Sequence, residues 1–331
     1  VYLIEGRNQA KGAFCLWVGA VANVRAGHSL RWKRGYPLPS AGYFELNRRM
    51  TNLAIELNSI SKSFGPVQAN KDIDLAVETG TIHGIVGENG AGKSTLMSIL
   101  YGFYVPDEGS INVFGEPLEF NSSQKAIEAG IGMVHQHFML GEPFTVLENI
   151  ILGAEGGFLL GGAMSKARKA LLDLSERYGL SVDPDAVIGT LPVGVQQRVE
   201  ILKALYRGAK VLILDEPTGV LTPQEADALF DILRSLKEQG TTILLSTHKL
   251  HESMDVTDRV SVIRRGEMVG HRETAATSPE ELAELMVGRK VLLEVDKAPA
   301  QPKDVALSVR NLDYVDERGI QRLSNVSFDV K

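Results

Sequence analysis

From Leu53 the chain alternates apolar and polar positions through LAIELNSISKSFGPVQANKDIDLAVETGTIHGIVG, and turn residues at Gly65-Pro66 and Thr79-Gly80 divide it into three short strands that read as antiparallel. Strand-sized apolar runs recur at 81–86, 131–135, 211–214, 242–247 and 259–264, with helical patterns between most of them. That alternation predicts a mainly parallel sheet with crossover helices. Two helix starts are sharply marked. Thr222-Pro223-Gln224-Glu225 and Ser278-Pro279-Glu280-Glu281 each offer an N-cap hydroxyl, proline at the first helical position and glutamate at the third, so each predicts a closed capping box. Gly240 and Gly288 stand where those helices should end. A further helix is expected from TLPVGVQQRVEILKAL, Thr190 to Leu205, whose first turn is almost bare of ordinary side chains.

The patterning also divides the chain. Residues 50–289 hold the alternating elements, and KVLLEVDKAPAQPKD, ending at residue 304, has the Pro/Ala/charged composition of a linker. The remainder, ALSVRNLDYVDERGIQRLSNVSFDVK, aligns with LAIELNSISKSFGPVQANKDIDLAVE, so residues 305–331 read as the start of a second copy of the same domain. Two unrelated strand pairs with similar patterning are the alternative.

Composition narrows the class. With 331 residues and 44% apolar content the chain can bury a large core, and no apolar run reaches the roughly 20 residues a membrane-spanning helix needs. The one cysteine, Cys15, excludes an internal disulfide framework and fits a reducing, cytoplasmic setting. Residues 1–49 hold eight Lys/Arg against two acids, a local charge of +6, so the overall −6 leaves −12 elsewhere, which argues against a nucleic-acid partner. This first segment differs in kind from the rest of the chain. It is expected to be poorly ordered upstream sequence foreign to the domain, with Met50 as the start, although Ala20-Val21-Ala22 imitates a signal-peptidase site.

GENGAGKST, Gly87 to Thr95, lies between the strand TIHGIV and the helical LMSILYG, the context a phosphate-binding loop requires. Gly87, Gly90 and Gly92, interleaved with Glu88, Asn89 and Ala91, let the backbone curl so that its N–H groups face an anion at the positive end of a helix. Lys93 would reach the β- and γ-phosphates, Ser94 would ligate Mg²⁺, and Thr95 would touch the α-phosphate. VLILDEPTG carries Asp215 and Glu216 to the end of a buried strand, where Pro217 stops the ladder. Asp215 is placed to hold Mg²⁺ through water, and Glu216 is the natural general base or water-orienting group. A domain that uses ATP also argues against a secretion signal at its start.

These motifs resemble the nucleotide-binding domain of ABC transporters, and the resemblance runs from about Leu53 to Gly288. It implies a P-loop NTPase fold of α/β class, a RecA-like mainly parallel sheet with an antiparallel β subdomain and a helical signature subdomain. It also explains the bare helix start. Where the family carries Leu-Ser-Gly-Gly-Gln followed by Gln-Gln-Arg, this chain reads Leu191, Pro192, Val193, Gly194, Val195, then Gln196, Gln197, Arg198. The resemblance implies that this start faces the γ-phosphate of ATP held by an opposite domain; Pro192 and Val195 depart from the pattern and remove hydrogen bonds. His248 resembles the switch histidine, Gln136 the loop glutamine that links Mg²⁺ and the attacking water to membrane subunits, and Phe64 the aromatic that stacks on adenine. Phe64 could equally be a core aromatic of the small sheet. His135 and His137 fall on one strand face without a third ligand, so no metal is expected there. Thr222 stands where many members have aspartate.

The same resemblance makes 138–144 and 153–162 candidates for contact with transmembrane permease subunits. The phrases GIGMVHQHFML, VEILKALYRGA, EPTGVLTPQEA, STHKLHE and TSPEELAELMVGR look like the ATPases of bacterial importers for simple sugars and nucleosides. Such ATPases are two domains in tandem, peripheral on the cytoplasmic face of the membrane, and are served indirectly by an extracytoplasmic solute-binding lipoprotein. A soluble non-transport ABC ATPase and a hydrolysis-impaired regulatory module are the competing readings.

Overall fold

The computed structural model describes residues 52–119, 122–136, 138–153, 160–290, 301, 303–317 and 319–331. The expectations for residues 1–49, His137 and most of the linker lie outside that set, as does most of 153–162. Thr51–Lys331 forms one compact unit.

Strands β1 (Leu53–Phe64) and β2 (Val67–Glu78) form the expected antiparallel hairpin. Their inward residues Ile55, Leu57, Ile60, Ile73, Leu75 and Val77 are buried, as is Ala54 at the start of β1, while Glu56, Asp74 and Ala76 between them are more exposed. The third run departs from the antiparallel expectation. β3 (Ile82–Val86) is buried at all five positions, so it has no polar face to give an antiparallel edge. It takes the middle of a second sheet instead, parallel to its neighbours. After α1 (Lys93–Leu100) the small sheet is completed by β4 (Glu108–Val113), antiparallel to β1, and by the short β5 (Glu116–Pro117).

The chain then passes through α2 (Ser123–Glu128), β6 (Ile131–Val134), α3 (Val146–Ile151), α4 (Leu160–Tyr178) and α5 (Val193–Tyr206). Next come β7 (Val211–Asp215), α6 (Pro223–Glu238), β8 (Thr242–Thr247), α7 (Leu250–Val256), β9 (Arg259–Arg264), β10 (Glu267–Glu273) and α8 (Pro279–Val287). The large sheet has the order β10-β9-β3-β8-β7-β6, parallel except for the β9–β10 hairpin. The five predicted parallel strands are all in it. One apolar cluster joins the sheet to α3, α4, α5 and α6, and another fills the space between the two sheets around α1.

The first predicted capping box closes fully: Thr222 Oγ1 accepts from the Glu225 N–H, and the Glu225 carboxylate accepts from the Thr222 N–H at 2.9 Å. The second closes by half. Ser278 Oγ accepts from the Glu281 N–H, but the Glu281 carboxylate is taken by Arg272 Nε at 2.7 Å and Thr277 Oγ1 at 2.8 Å. A charged donor outcompetes the backbone N–H for that carboxylate. Gly288, in the left-handed region, ends α8 as expected. The final elements are the hairpin β11 (Leu307–Val315) and β12 (Gln321–Val330). Among the described residues no helix is long and apolar enough to cross a membrane.

Candidate nucleotide site

β3 delivers the chain to the carboxyl edge of the large sheet between β8 and β9, where ligands of open α/β sheets bind. The loop after it is tightly fitted. Gly92 has φ 107° and is the N-cap of α1; a Cβ there would collide with Ala69 O, and its own carbonyl accepts from buried Asn70 Nδ2 at 3.1 Å. A Cβ on Gly87 would collide with Ile263 O. Ala91 is buried and pinned by bonds from its N–H to Glu88 O and from the Gly266 N–H to its carbonyl, whereas Glu88, Asn89 and Gly90 are exposed at the tip. The loop leads directly into α1, with Ser94 and Thr95 in its first turn.

Lys93 is only 4% exposed, and its ammonium is held inside the loop by Gly87 O at 2.8 Å and Glu88 O at 3.1 Å. Glu216 Oε1 is 3.2 Å from it. Glu216 Oε2 in turn is 3.3 Å from His248 Nδ1, so one carboxylate stands between the loop lysine and the histidine at the end of β8. Its backbone explains the placement. Glu216 has φ 48°, a conformation costly for a non-glycine residue, and is held there by bonds from its N–H to Ser246 O and Oγ, both at 3.1 Å. Ser246 Oγ also donates to Asp215 Oδ1 at 2.5 Å, and Ser94 Oγ donates to the same oxygen at 3.2 Å.

The structure therefore gathers Lys93, Ser94, Asp215, Glu216 and His248 from three elements. Phe64, Gln136 and 191–196 make their contacts elsewhere. Phe64, at the end of β1, is 44% exposed and meets the edge of Tyr104 at 5.2 Å, so it is not a core aromatic. Gln136 is exposed just beyond β6. His135 beside it stacks on Phe103, and burial holds its pKa below the ordinary histidine value against the opposing charge of Asp215. Pro192 is the N-cap of α5 and provides no side-chain cap; Val193 is exposed. The Glu225 carboxylate lies beside Gly194, and the Thr222 N–H holds it below the usual glutamate range. Gln196 Nε2 donates to Leu191 O at 2.9 Å, and buried Gln197 donates to Pro217 O at 2.9 Å, tying α5 to the segment after Glu216. A cavity of about 220 Å³ lies between α5 and α6, lined by Gly194, Arg198, Gln224 and Glu225 among others, away from Lys93.

The sequence reading missed Ser246, Lys249 and Thr218, and named Gln197 in the motif without a role of its own. Lys249 Nζ donates to Thr218 O at 3.1 Å and to Glu252 at 2.9 Å, bracketing the chain just after Glu216. A serine directly after the apolar Ile243-Leu244-Leu245 run was the available signal for Ser246, which the β7–β8 register sets opposite Asp215.

Chemically, the site offers a buried cation, curled N–H groups and a helix start for an anion, with a carboxylate and an imidazole at its rim. The Ser94 hydroxyl and Asp215 carboxylate are hard oxygen donors of the kind Mg²⁺ selects, so the residues present fit that ion. Among the described residues no three His, Cys, Asp or Glu side chains form a metal cage, so phosphate oxygens and water would supply the rest of its shell.

Comparison with known proteins gives one direction. Residues 70–219 match the sequence model of the ABC transporter family. The chain is 50% identical over 277 residues to the nucleoside import ATP-binding protein NupA of Lactococcus lactis subsp. cremoris, across 84% of this chain and 55% of that protein. It is 48% identical over 277 residues to the guanosine import ATP-binding protein NupO of Bacillus subtilis, across 84% and 54%. The glucose import ATP-binding protein TsgD13 of Haloferax volcanii is 48% identical over 305 residues, across 84% and 56%. The chain thus spans about half the length of the curated relatives it matches. Among solved structures, the ADP conformation of an ATP-binding cassette of an ABC transporter superposes with a TM-score of 0.63 at 26% identity, covering 72% of this chain and 99% of that one.

Proposed function

The chain belongs to the ABC transporter family through its ATP-binding domain, and from that premise we propose that it binds MgATP, hydrolyses it and energises import of nucleosides or simple sugars through transmembrane permease subunits. The observation that carries this reading is Glu216 held between Lys93 and His248 beside the glycine-rich loop after β3. Lys93 neutralises the β- and γ-phosphates, and the loop N–H groups and the start of α1 orient them. Ser94, Asp215 and Gln136 would hold Mg²⁺, which supplies charge neutralisation between the phosphates. Glu216 orients the attacking water and takes its proton, and His248 meets the γ-phosphate. Phe64 stacks on the base, with Tyr104 bracing its edge.

The start of α5 supports a role across an interface rather than at this site, since Gly194 and Val195 lie by Glu225 in a cavity that Lys93 does not line. The partner nucleotide belongs to a second ABC domain, and β11–β12 supports a tandem copy. Pairs Ile55↔Val77, Leu57↔Leu75 and Ile60↔Ile73 in the first hairpin correspond to Leu307↔Val330, Val309↔Phe328 and Leu312↔Val326 in the last. The irregularity matches too. Ser59 and Asp72 in the first, like Asn311 and Asn325 in the last, have φ near +50° and are held by side chains from the opposite strand: Asp74 and Ser61 in one, Ser327 and Asp313 in the other. The inward set is buried in β1–β2, whereas Leu307, Leu312, Phe328 and Val330 are exposed.

We assign the domain to the cytoplasmic face of the membrane, with 138–144 and the region around Gly153 against the permeases; Met139, Phe144 and Leu152 supply exposed apolar surface there. Uptake of labelled nucleosides and sugars by cells carrying the permeases tests the assignment. Nucleoside or sugar uptake lost in Glu216→Gln is the expected result; uptake indifferent to that change contradicts it.

A further inference from the structure

The other fully buried positions of β2, Ile73, Leu75 and Val77, are apolar, but Asn70 is buried as completely as they are. Only one end of its amide is used. Nδ2 donates to Gly92 O at 3.1 Å, and Oδ1 is buried with no donor among the described residues. Leucine would fill that space without leaving a polar atom unsatisfied, so packing alone does not account for asparagine here. What the amide gains is a grip on one carbonyl of the loop between β3 and α1.

A second grip comes from the β9–β10 turn. The Gly266 N–H donates to Ala91 O at 3.0 Å, and the Lys71 N–H, next to Asn70, donates to Gly266 O at 2.8 Å. Lys71 Nζ also meets Glu267 at 2.5 Å, but both side chains are more than half exposed and that pair contributes little by itself. The approach of turn to strand demands glycine: Gly266 has φ 81°, and a Cβ on it would stand 3.0 Å from Ala69 O. Ala91, Gly92, Asn70, Lys71 and Gly266 thus close a ring that joins loop, strand and turn. The Ala91–Gly92 and Gly92–Lys93 peptides are trans, so the C=O and N–H of each point in opposite directions. Holding Ala91 O therefore fixes the direction of the Gly92 N–H, and holding Gly92 O fixes that of the Lys93 N–H. Both N–H groups are turned away from the side on which Gly266 and Asn70 stand.

We propose that Asn70 and Gly266 are positioning residues for the phosphate loop: by holding two adjacent carbonyls outward, they set the Gly92 and Lys93 N–H groups toward the phosphates before a nucleotide arrives. That the anion is a nucleotide rests on the proposed MgATP binding; the ring of contacts rests on the geometry.

Calorimetric titration of the full chain with ATP and with inorganic tripolyphosphate at matched Mg²⁺, beside hydrogen exchange of the Gly266 amide, tests this in Asn70→Leu. The variant should lose about tenfold in affinity for both ligands alike, since only phosphate contacts are disturbed, while its thermal midpoint holds or rises because the unsatisfied Oδ1 is gone. The Gly266 amide should exchange about fivefold faster, since the ring has lost one of its two grips. Unchanged affinity for both ligands overturns the positioning whatever the exchange does. A loss confined to ATP would put the effect of Asn70 at the base and overturn it as well, and so would a parallel loss that follows a fallen thermal midpoint with Gly266 exchange unmoved. If Asn70→Leu fails to fold, Gly266→Ala breaks the other grip by forcing the turn off Ala69 O, and it should show the same paired loss. A parent chain that binds neither ligand would remove the proposed function, yet Gly266 exchange would still decide whether Asn70 holds the ring.

Discussion

At the scale of single residues, the site depends on where two charges sit. Lys93 is enclosed by carbonyls and Glu216, so truncating it removes a buried cation held inside the loop. Lys93→Ala should weaken MgATP binding by about 100-fold, measured by calorimetry, in line with loss of a charge-assisted contact worth a few kcal/mol. Glu216→Gln should bind as before and lose about 10² to 10⁴ in turnover of the reassembled transporter; an unchanged rate would remove it from the chemistry. Pro192 supplies no side-chain cap to α5, and the Glu225 carboxylate lies beside Gly194 in its first turn. Pro192→Ser should therefore add an N-cap worth about 1 kcal/mol and raise the ATPase rate of the site that α5 completes. A stabilised protein with an unaltered rate would show that the departure from the family pattern costs nothing in catalysis.

Among the elements, strands and their register carry information that local sequence does not. The parallel strands could be read because their apolar runs are continuous, and the loop motifs because glycine, lysine and acidic residues fall at fixed offsets. The small sheet was harder to read. β4, EGSINV, has an exposed first half and a weak alternation, so its pairing with β1 is fixed by contacts about 50 residues apart rather than by pattern. Lys203 gave no signal for the same reason, since its partner Met139 O is brought to it only by the fold. One such hidden arrangement crosses β3, β9 and β10: His83 Nε2 and His271 Nδ1 each lie 2.7 Å from Ser261 Oγ. Burial lowers the His83 pKa to about 3, while the unfolded chain protonates it near 6.5. Between those values the unfolded state holds the extra proton, so stability is lost as pH falls through that window, by up to about 1.4 kcal/mol per unit from this group. Denaturant melts at pH 7 and 5 should show a smaller loss in His83→Phe than in the parent; equal losses would mean His83 is charged in the fold.

For the molecule as a whole, the domain gathers one set of the groups proposed to bind nucleotide, while the turn proposed to complete a second site, Leu191–Gln196, lies elsewhere. The chain spans about half of its curated relatives, and its last hairpin repeats the first with the apolar face uncovered. Alone it should bind MgATP and turn it over slowly, with a rate that rises with protein concentration or on adding a second ABC domain; brisk, concentration-independent hydrolysis would contradict a shared site. The most direct check is a calorimetric titration of the chain with MgATP beside Lys93→Ala. Saturable binding at one equivalent, lost in the variant, is the predicted result. Absence of heat from a folded parent, or equal binding by both proteins, would contradict the account at its centre.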